Sequence, residues 1–277
     1  MTADVEGWQS AGLLYSVEDS VAWLRLNRPE RRNAMHRPLR TALVEAIHEV
    51  SEDPDVRCAI IIGTGVAFSS GADLTQDGGA NEIPPERSRG FGVIQRDDVL
   101  LYGWDRLMNG IWNSDKVFIA AVNGVAAGGG CNLALACDFI VAAEEATFWE
   151  IFVQRGLPLE GGGAWILPKL TSIVRAKQIA ILGDPLSAAD AERFGMINQC
   201  VPGDQLEDTV RALAHRVATG PTIRIGHIKS QINASFEQSK DQSFRDEATY
   251  LALSGGSDSA EAINAFLEKR PPKFTGR

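Results

Sequence analysis

The chain has 277 residues, 44% hydrophobic and 23% charged, with a net charge of −9. That length can bury a sizeable core, and an acidic balance without a basic block excludes non-specific nucleic-acid binding. The start, MTADVEGWQS, lacks the basic and apolar regions of a signal peptide, and Cys58, Cys131, Cys137 and Cys200 form no CxxC pair, so a cytoplasmic protein with reduced thiols is expected.

GLLYSV (12–17) and VAWLRLN (21–27) read as two strands joined by a turn at Glu18-Asp19-Ser20. The punctuated stretch RPERRNAMHRP precedes a helix whose apolar positions Leu39, Leu43, Ala46, Ile47 and Val50 share one face. DPDVRCAIIIGTG reads as a buried strand, followed by the loop AFSSGADL. A polar, proline-bearing excursion over 75–95 leads to a helix over about 96–114. KVFIAAVNG is the next strand, then a glycine turn, a short helix and the strand DFIVAA. From about residue 205 the strands stop, and QLEDTVRALAHRVA, TIRIGHIKSQINAS and SAEAINAFLEKR read as helices, the last ended by Pro271-Pro272. The domains expected are an α/β core over 1–204 and a helical region over 205–277, whose apolar positions Ile263, Phe266 and Leu267 suit packing on another subunit.

Residues 117–137 carry no charge and include a GxxxG at Gly124 and Gly128, the pattern of a membrane helix. Asn123, Asn132 and three consecutive glycines oppose that reading, since each glycine costs about 1 kcal/mol in a helix interior. A strand, a glycine turn and a helix fit better, so no membrane partner is expected. Two strand–loop–helix units, near 56–74 and 117–143, predict a spiral of repeated units rather than a dinucleotide-binding sheet. No GxGxxG follows a strand and no GK[ST] occurs.

Five segments, LNRPERRNAM, AFSSGADL, AAVNGVAAGGGCNLALACD, ATFWEIFVQRGLPLEGG and LGDPLSAADAERFGMINQCVP, resemble in order and spacing the crotonase superfamily of enoyl-CoA hydratases and isomerases. The likeness spans about Leu13 to Arg277. It implies a crotonase-like α/β spiral of ββα units with a C-terminal helical oligomerisation region, and a homotrimer or hexamer. The substrate implied is an acyl-CoA thioester, with coenzyme A part of the substrate rather than a cofactor. In this family two backbone N–H groups form an oxyanion hole for the thioester carbonyl, and the matching positions are Ala72 and Gly129. Gly129 begins a helix, so its N–H is unpaired by the helix and favoured by the dipole. Such a donor is worth about 3 to 4 kcal/mol on a developing oxyanion.

Hydratases of the family use two glutamates, one three residues after the oxyanion-hole glycine and one four residues before the glycine matching Gly156. Here those places hold Asn132 and Phe152, neither of which exchanges protons near neutrality. Asn132→Ala is therefore expected to leave much of the turnover. One carboxylate remains, Glu160, just before a glycine run that opens the helix GGGAWILPKL. It resembles the lone base of the Δ3,Δ2-enoyl-CoA isomerases. The ring-1,2-epoxyphenylacetyl-CoA isomerase branch has an aspartate in a similar context, and the dehalogenase branch uses one as a nucleophile. The bland reading of Glu160 is an acid at a helix N-terminus. Its apolar neighbours Leu157, Pro158 and Leu159 should raise its pKa.

Arg28, Arg31 and Arg32 cluster before the NAM segment, which begins at Asn33 and includes Ala34 and contacts the coenzyme in relatives; Lys273 lies in the tail. With Gly71, Asp73 and Leu74 of the GADL loop, Asn132, Trp149 and Phe152, they are the expected substrate-binding set. Trp149 and Trp165 flank the loop that bears Glu160. Glu144 and Glu145 read as a solvated turn, and Asp138 as a strand start. His36, His48, His215 and His227 fall outside the motifs, and no metal-ligand spacing occurs, so no metal is expected. The first reading is an isomerase using Glu160. The alternatives are a hydratase or C–C bond hydrolase working with water and Glu160, and a non-catalytic acyl-CoA binder.

Overall fold

The computed structural model describes residues 4–75 and 104–276. The short helix α1 (Val5–Ser10) is followed by β1 (Leu13–Glu18), β2 (Val21–Leu26), α2 (Arg37–Glu52), β3 (Cys58–Gly63) and β4 (Ala67–Ser69). After the undescribed stretch come α3 (Trp104–Trp112), β5 (Val117–Val122), β6 (Val125–Ala127), α4 (Gly129–Leu135), β7 (Phe139–Ala143) and β8 (Thr147–Trp149). Then follow α5 (Gly163–Leu170), α6 (Ile173–Leu182), β9 (Leu186–Ser187), α7 (Ala188–Arg193) and β10 (Gln199–Val201). Helices α8 (Leu206–Ala218), α9 (Thr222–Ala234), α10 (Lys240–Ala252) and α11 (Ser257–Glu268) complete the described chain.

Strands alternate between two sheets, which makes the spiral. A six-stranded sheet runs β1-β2-β3-β5-β7-β10, and a four-stranded sheet runs β4-β6-β8-β9. Thus β3/β4, β5/β6 and β7/β8 each place a first strand in the large sheet and a second in the small one. The pairs within β2-β3-β5-β7-β10 are parallel, and β1–β2 and β8–β9 are antiparallel. Strands β3 (CAIIIG) and β5 (VFIAAV) are buried at every position, as a parallel sheet covered on both faces requires. Successive turns stack closely: a methyl on Gly124 would fall 2.1 Å from the Val66 carbonyl oxygen, so only glycine fits there. Asn123 locks the same stack, accepting from Gly63 N–H at 3.2 Å and donating to Gly65 O at 2.9 Å.

Several details differ from the sequence reading. The AFSSGADL loop begins as β4, paired in parallel with β6. The helix expected over 96–114 is seen as Trp104–Trp112, and 96–103, like most of the 75–95 excursion, lies outside the described residues. Helix α10 was not foreseen; none of its residues is buried, so no apolar stripe marked it. Helix α11 stops at Glu268, where Lys269 turns left-handed (φ 54°), two residues before Pro271. Among the described residues no helix is long and apolar enough to cross a membrane.

The tail is pinned by a buried ion pair. Lys229 of α9 is only 8% exposed, and its Nζ donates to Ile111 O at 2.7 Å, Lys116 O at 2.9 Å and Asp138 Oδ2 at 2.9 Å. Asp138 also accepts the Phe118 N–H at 2.8 Å, which confirms its place at a strand start.

Candidate active site

The site begins where the small sheet's turns meet α4. Gly71 (φ 87°) ends the β4 turn, and a methyl there would lie 2.6 Å from Ala127 O and 3.3 Å from Gly129 N. Glycine is thus required for the two segments to touch. Ala72 bridges Met35 in parallel, with Met35 N–H donating to Gly71 O at 2.7 Å and Asp73 N–H to Met35 O at 3.4 Å. In such a bridge the central residue's own N–H points to the other side. The Ala72 N–H therefore faces away from Met35. Gly129 is the first residue of α4, where N–H groups have no intrahelical acceptor. The structure brings these two candidate donors onto neighbouring segments.

The NAM segment buttresses this corner from within. Arg28 is nearly buried, bonding Asp73 Oδ2 at 3.0 Å and Ala34 O at 2.5 Å through Nη1. Burial works against the Asp73 charge, yet the hydrogen bonds from Thr75 and the Arg28 guanidinium hold its pKa below the usual carboxylate value. Arg28 and Asp73 are thus committed to each other and tie two loops together, whereas Arg31, Arg32 and Leu74 are exposed at the rim. Lys273 is exposed in a tail that lies elsewhere: its neighbour Thr275 accepts from Arg57 at the start of β3, while Arg28 follows the end of β2. Those two points are separated by the length of a strand, about 20 Å for six residues. The tail bearing Lys273 is thus anchored at the other end of the strand from the arginine cluster.

Glu160 stands at the start of a glycine turn. Gly161 (φ 62°) and Gly162 (φ 84°) are left-handed, a conformation that glycine adopts at no steric cost, and Gly163 then opens α5. Asn132, buried at 1% exposure, donates from Nδ2 to the Glu160 carbonyl at 2.8 Å, and its amide packs against Gly163. This explains an amide at that position. A carboxylate has no proton to give a carbonyl oxygen and would face the Glu160 charge. The Asn132 Oδ1 is buried and has no partner among the described residues. Phe152 is buried, and its ring would touch a methyl on Gly128 at 3.7 Å, so an apolar ring packs beneath the glycine turn.

The Glu160 side chain is exposed in the isolated chain, but its surroundings are dense enough that burial pushes its carboxyl pKa up; the Arg40 guanidinium pulls it back. The direction is as expected, but Leu157 and Pro158 are exposed, and the opposing charge comes from Arg40. Arg40 lies on the buried face of α2, donates to Met35 O at 2.6 Å and stands 5.4 Å from the centroid of the Trp104 ring. Neither Arg40 nor Trp104 was singled out by motif. The signals were present in the spacing: Arg40 and Leu43 share a face, as do Trp104, Met108 and Ile111. What they met across space was not.

Trp149 turns its indole N–H to Gly183 O at 2.6 Å, and Trp165 packs edge-on against Trp112 at 4.6 Å. Neither contact is with Glu160 itself, and Trp104 is the side chain that packs on Gly129. Glu144 and Glu145 are exposed, and so is His48. Among the described residues no cluster of three or more His, Cys, Asp or Glu could hold a metal ion. Glu150 was missed entirely. It is fully buried next to Cys131, and burial pushes its pKa up to about 7, with the Cys131 thiol pulling it back.

The chain matches the family model described as enoyl-CoA hydratase/isomerase over residues 16–277. It is 38% identical over 266 residues to the 1,2-epoxyphenylacetyl-CoA isomerase of Escherichia coli (strain K12), covering 96% of this chain and 98% of that one. It is 32% identical to the crotonyl-CoA hydratase of Syntrophomonas wolfei over 96% of this chain and 98% of the relative. Among solved structures, an enoyl-CoA hydratase from Bacillus anthracis superposes with a TM-score of 0.86 at 28% identity, over 96% of this chain and all of the other.

Proposed function

The chain belongs to the enoyl-CoA hydratase/isomerase family, and on that premise we propose that it shifts a double bond in an acyl-CoA, with Glu160 as the single proton shuttle. The observation that carries this reading is the occupancy of the three acid positions. Asn132 and Phe152 stand where a hydratase would need acids, and Asn132 is spent holding the turn that carries Glu160. In the reaction proposed, the thioester carbonyl accepts from Ala72 and Gly129. The Glu160 carboxylate takes a proton from C2, and the C–H electron pair enters a dienolate whose oxygen charge faces the two donors. The same carboxyl then returns its proton to C4. The C3–C4 π pair forms the new C–H bond, the C2–C3 double bond forms and the carbonyl is restored. Nothing is gained or lost overall.

A raised pKa makes Glu160 a stronger base once ionised. The test is incubation with a 3-enoyl-CoA and with a 2-enoyl-CoA, followed by chromatographic separation of the isomers and mass analysis. Interconversion at unchanged mass supports the proposal. A gain of one water makes the chain a hydratase, fragments mark a C–C bond hydrolase, and no change leaves an acyl-CoA binder.

A further inference from the structure

One large side chain lies within the site without a part in the proton transfer. Trp104 opens α3 and spans the gap between the two halves of the site. At its root, Cβ lies 3.9 Å from where a methyl on Gly161 would stand, next to Glu160. At its tip, a methyl on Gly129 would fall 2.1 Å from Cη2, 2.3 Å from Cζ3 and 2.6 Å from Cζ2, so the outer edge of the six-membered ring stands directly against the candidate oxyanion glycine. Arg40 braces the side chain, and Met108 continues the same helix face. Buried Arg40 places its guanidinium 5.4 Å from the ring centroid, and one turn along α3 Met108 packs on Gly162, with Cε 2.7 Å from a methyl placed there.

That gap is the one an acyl group must cross. Its C1 oxygen has to reach Gly129 and its C2 to C4 have to reach Glu160, so these carbons run along the indole. Resting on the isomerase reading for the positions of C1 to C4, we propose that Trp104 is the specificity-determining wall of the site. It admits acyl groups that are flat and unbranched next to the carbonyl, and it refuses a substituent on C2. A methyl group at C2 would enter the space that the ring edge fills beside Gly129. A misfit of that size is worth about 10- to 200-fold in discrimination. Substituents from C4 outward lie past the indole's root and are not restricted by it.

The experiment measures wild type, Trp104→Phe and Trp104→Ala with 2-butenoyl-CoA and 2-methyl-2-butenoyl-CoA as ligands, by calorimetry, and with the corresponding 3-enoyl-CoA pair as substrates. The expected result is a wild-type affinity and kcat/KM ratio of about 30 or more in favour of the unbranched compound. Trp104→Phe, whose shorter ring no longer reaches Gly129, lowers that ratio in part, and Trp104→Ala lowers it to a few-fold by improving the branched ligand. The affinity ratio needs no turnover, so it decides the proposal even if the chain proves not to isomerise. A wild-type affinity ratio near one overturns it without any variant, and an undiminished ratio in Trp104→Ala overturns it as well.

Discussion

The Asn132 side chain donates to the backbone carbonyl of Glu160 at 2.8 Å, so a buried amide holds the turn that carries the proposed base. The sequence-based expectation that Asn132→Ala is benign therefore changes. Losing one buried hydrogen bond of about 1 kcal/mol frees a turn that must hold the base within a fraction of an ångström. Asn132→Ala is expected to lower kcat about tenfold with little change in KM. Asn132→Asp should lower it further and shift the acidic limb of the kcat–pH profile upward, because a second carboxylate disfavours the Glu160 charge. Wild-type kcat in Asn132→Ala would show that the glycines hold the turn unaided.

Glu150 makes stability depend on pH. Its folded pKa of about 7 lies above the usual 4.5, with burial as the cause. The fold therefore binds the proton more tightly than the unfolded chain does. This contribution is fully present below pH 4.5 and is lost as pH rises through 7. A shift of this size corresponds to about 3 kcal/mol at most. Glu150→Gln, neutral at all pH values, is expected to melt like wild type near pH 5 and several degrees higher at pH 8. Equal melting temperatures at pH 8 would mean that the carboxylate finds a partner when it ionises.

Lys229 is the second stability test. Removing it leaves Asp138, whose pKa burial already pushes up, as a charge without its cation inside the fold. Lys229→Ala is expected to cost about 3–5 kcal/mol in chemical denaturation. Lys229→Ala with Asp138→Asn should recover part of that loss.

Much of the site was legible because it is built from backbone. The left-handed turn after Glu160, the close approach at Gly71 and the helix-start amide of Gly129 each suit glycine, and glycines are visible in a sequence. Asn132 and Phe152 were legible by their mismatch with the family's acids. The role of Asn132 was not, since it depends on a carbonyl 28 positions away. Arg28 showed as a positive charge, but only packing reveals that Asp73 neutralises it. Trp104 and Arg40 meet across two helices, and Glu150 is an ordinary acid in sequence whose significance lies in its burial. For the fold, buried strands were read well because apolar runs mark them, and α10 was lost because it buries nothing.

The tail predicts assembly. Ile263, Phe266 and Leu267 on α11 are 62%, 82% and 70% exposed in the chain alone. Three large apolar side chains on one short helix suit a subunit contact. Light scattering at micromolar concentration is expected to give a trimer or hexamer, and Phe266→Asp a smaller species. A wild-type monomer would contradict this.

The central claim is that Glu160 moves the proton. The direct measurement is turnover of a 3-enoyl-CoA by wild type and Glu160→Gln, with affinity for the CoA ester measured in parallel by calorimetry. Glutamine keeps the shape and removes the base, so kcat is expected to fall about 100-fold or more while affinity stays within a few-fold. Wild-type turnover in Glu160→Gln would place the base elsewhere and contradict the account.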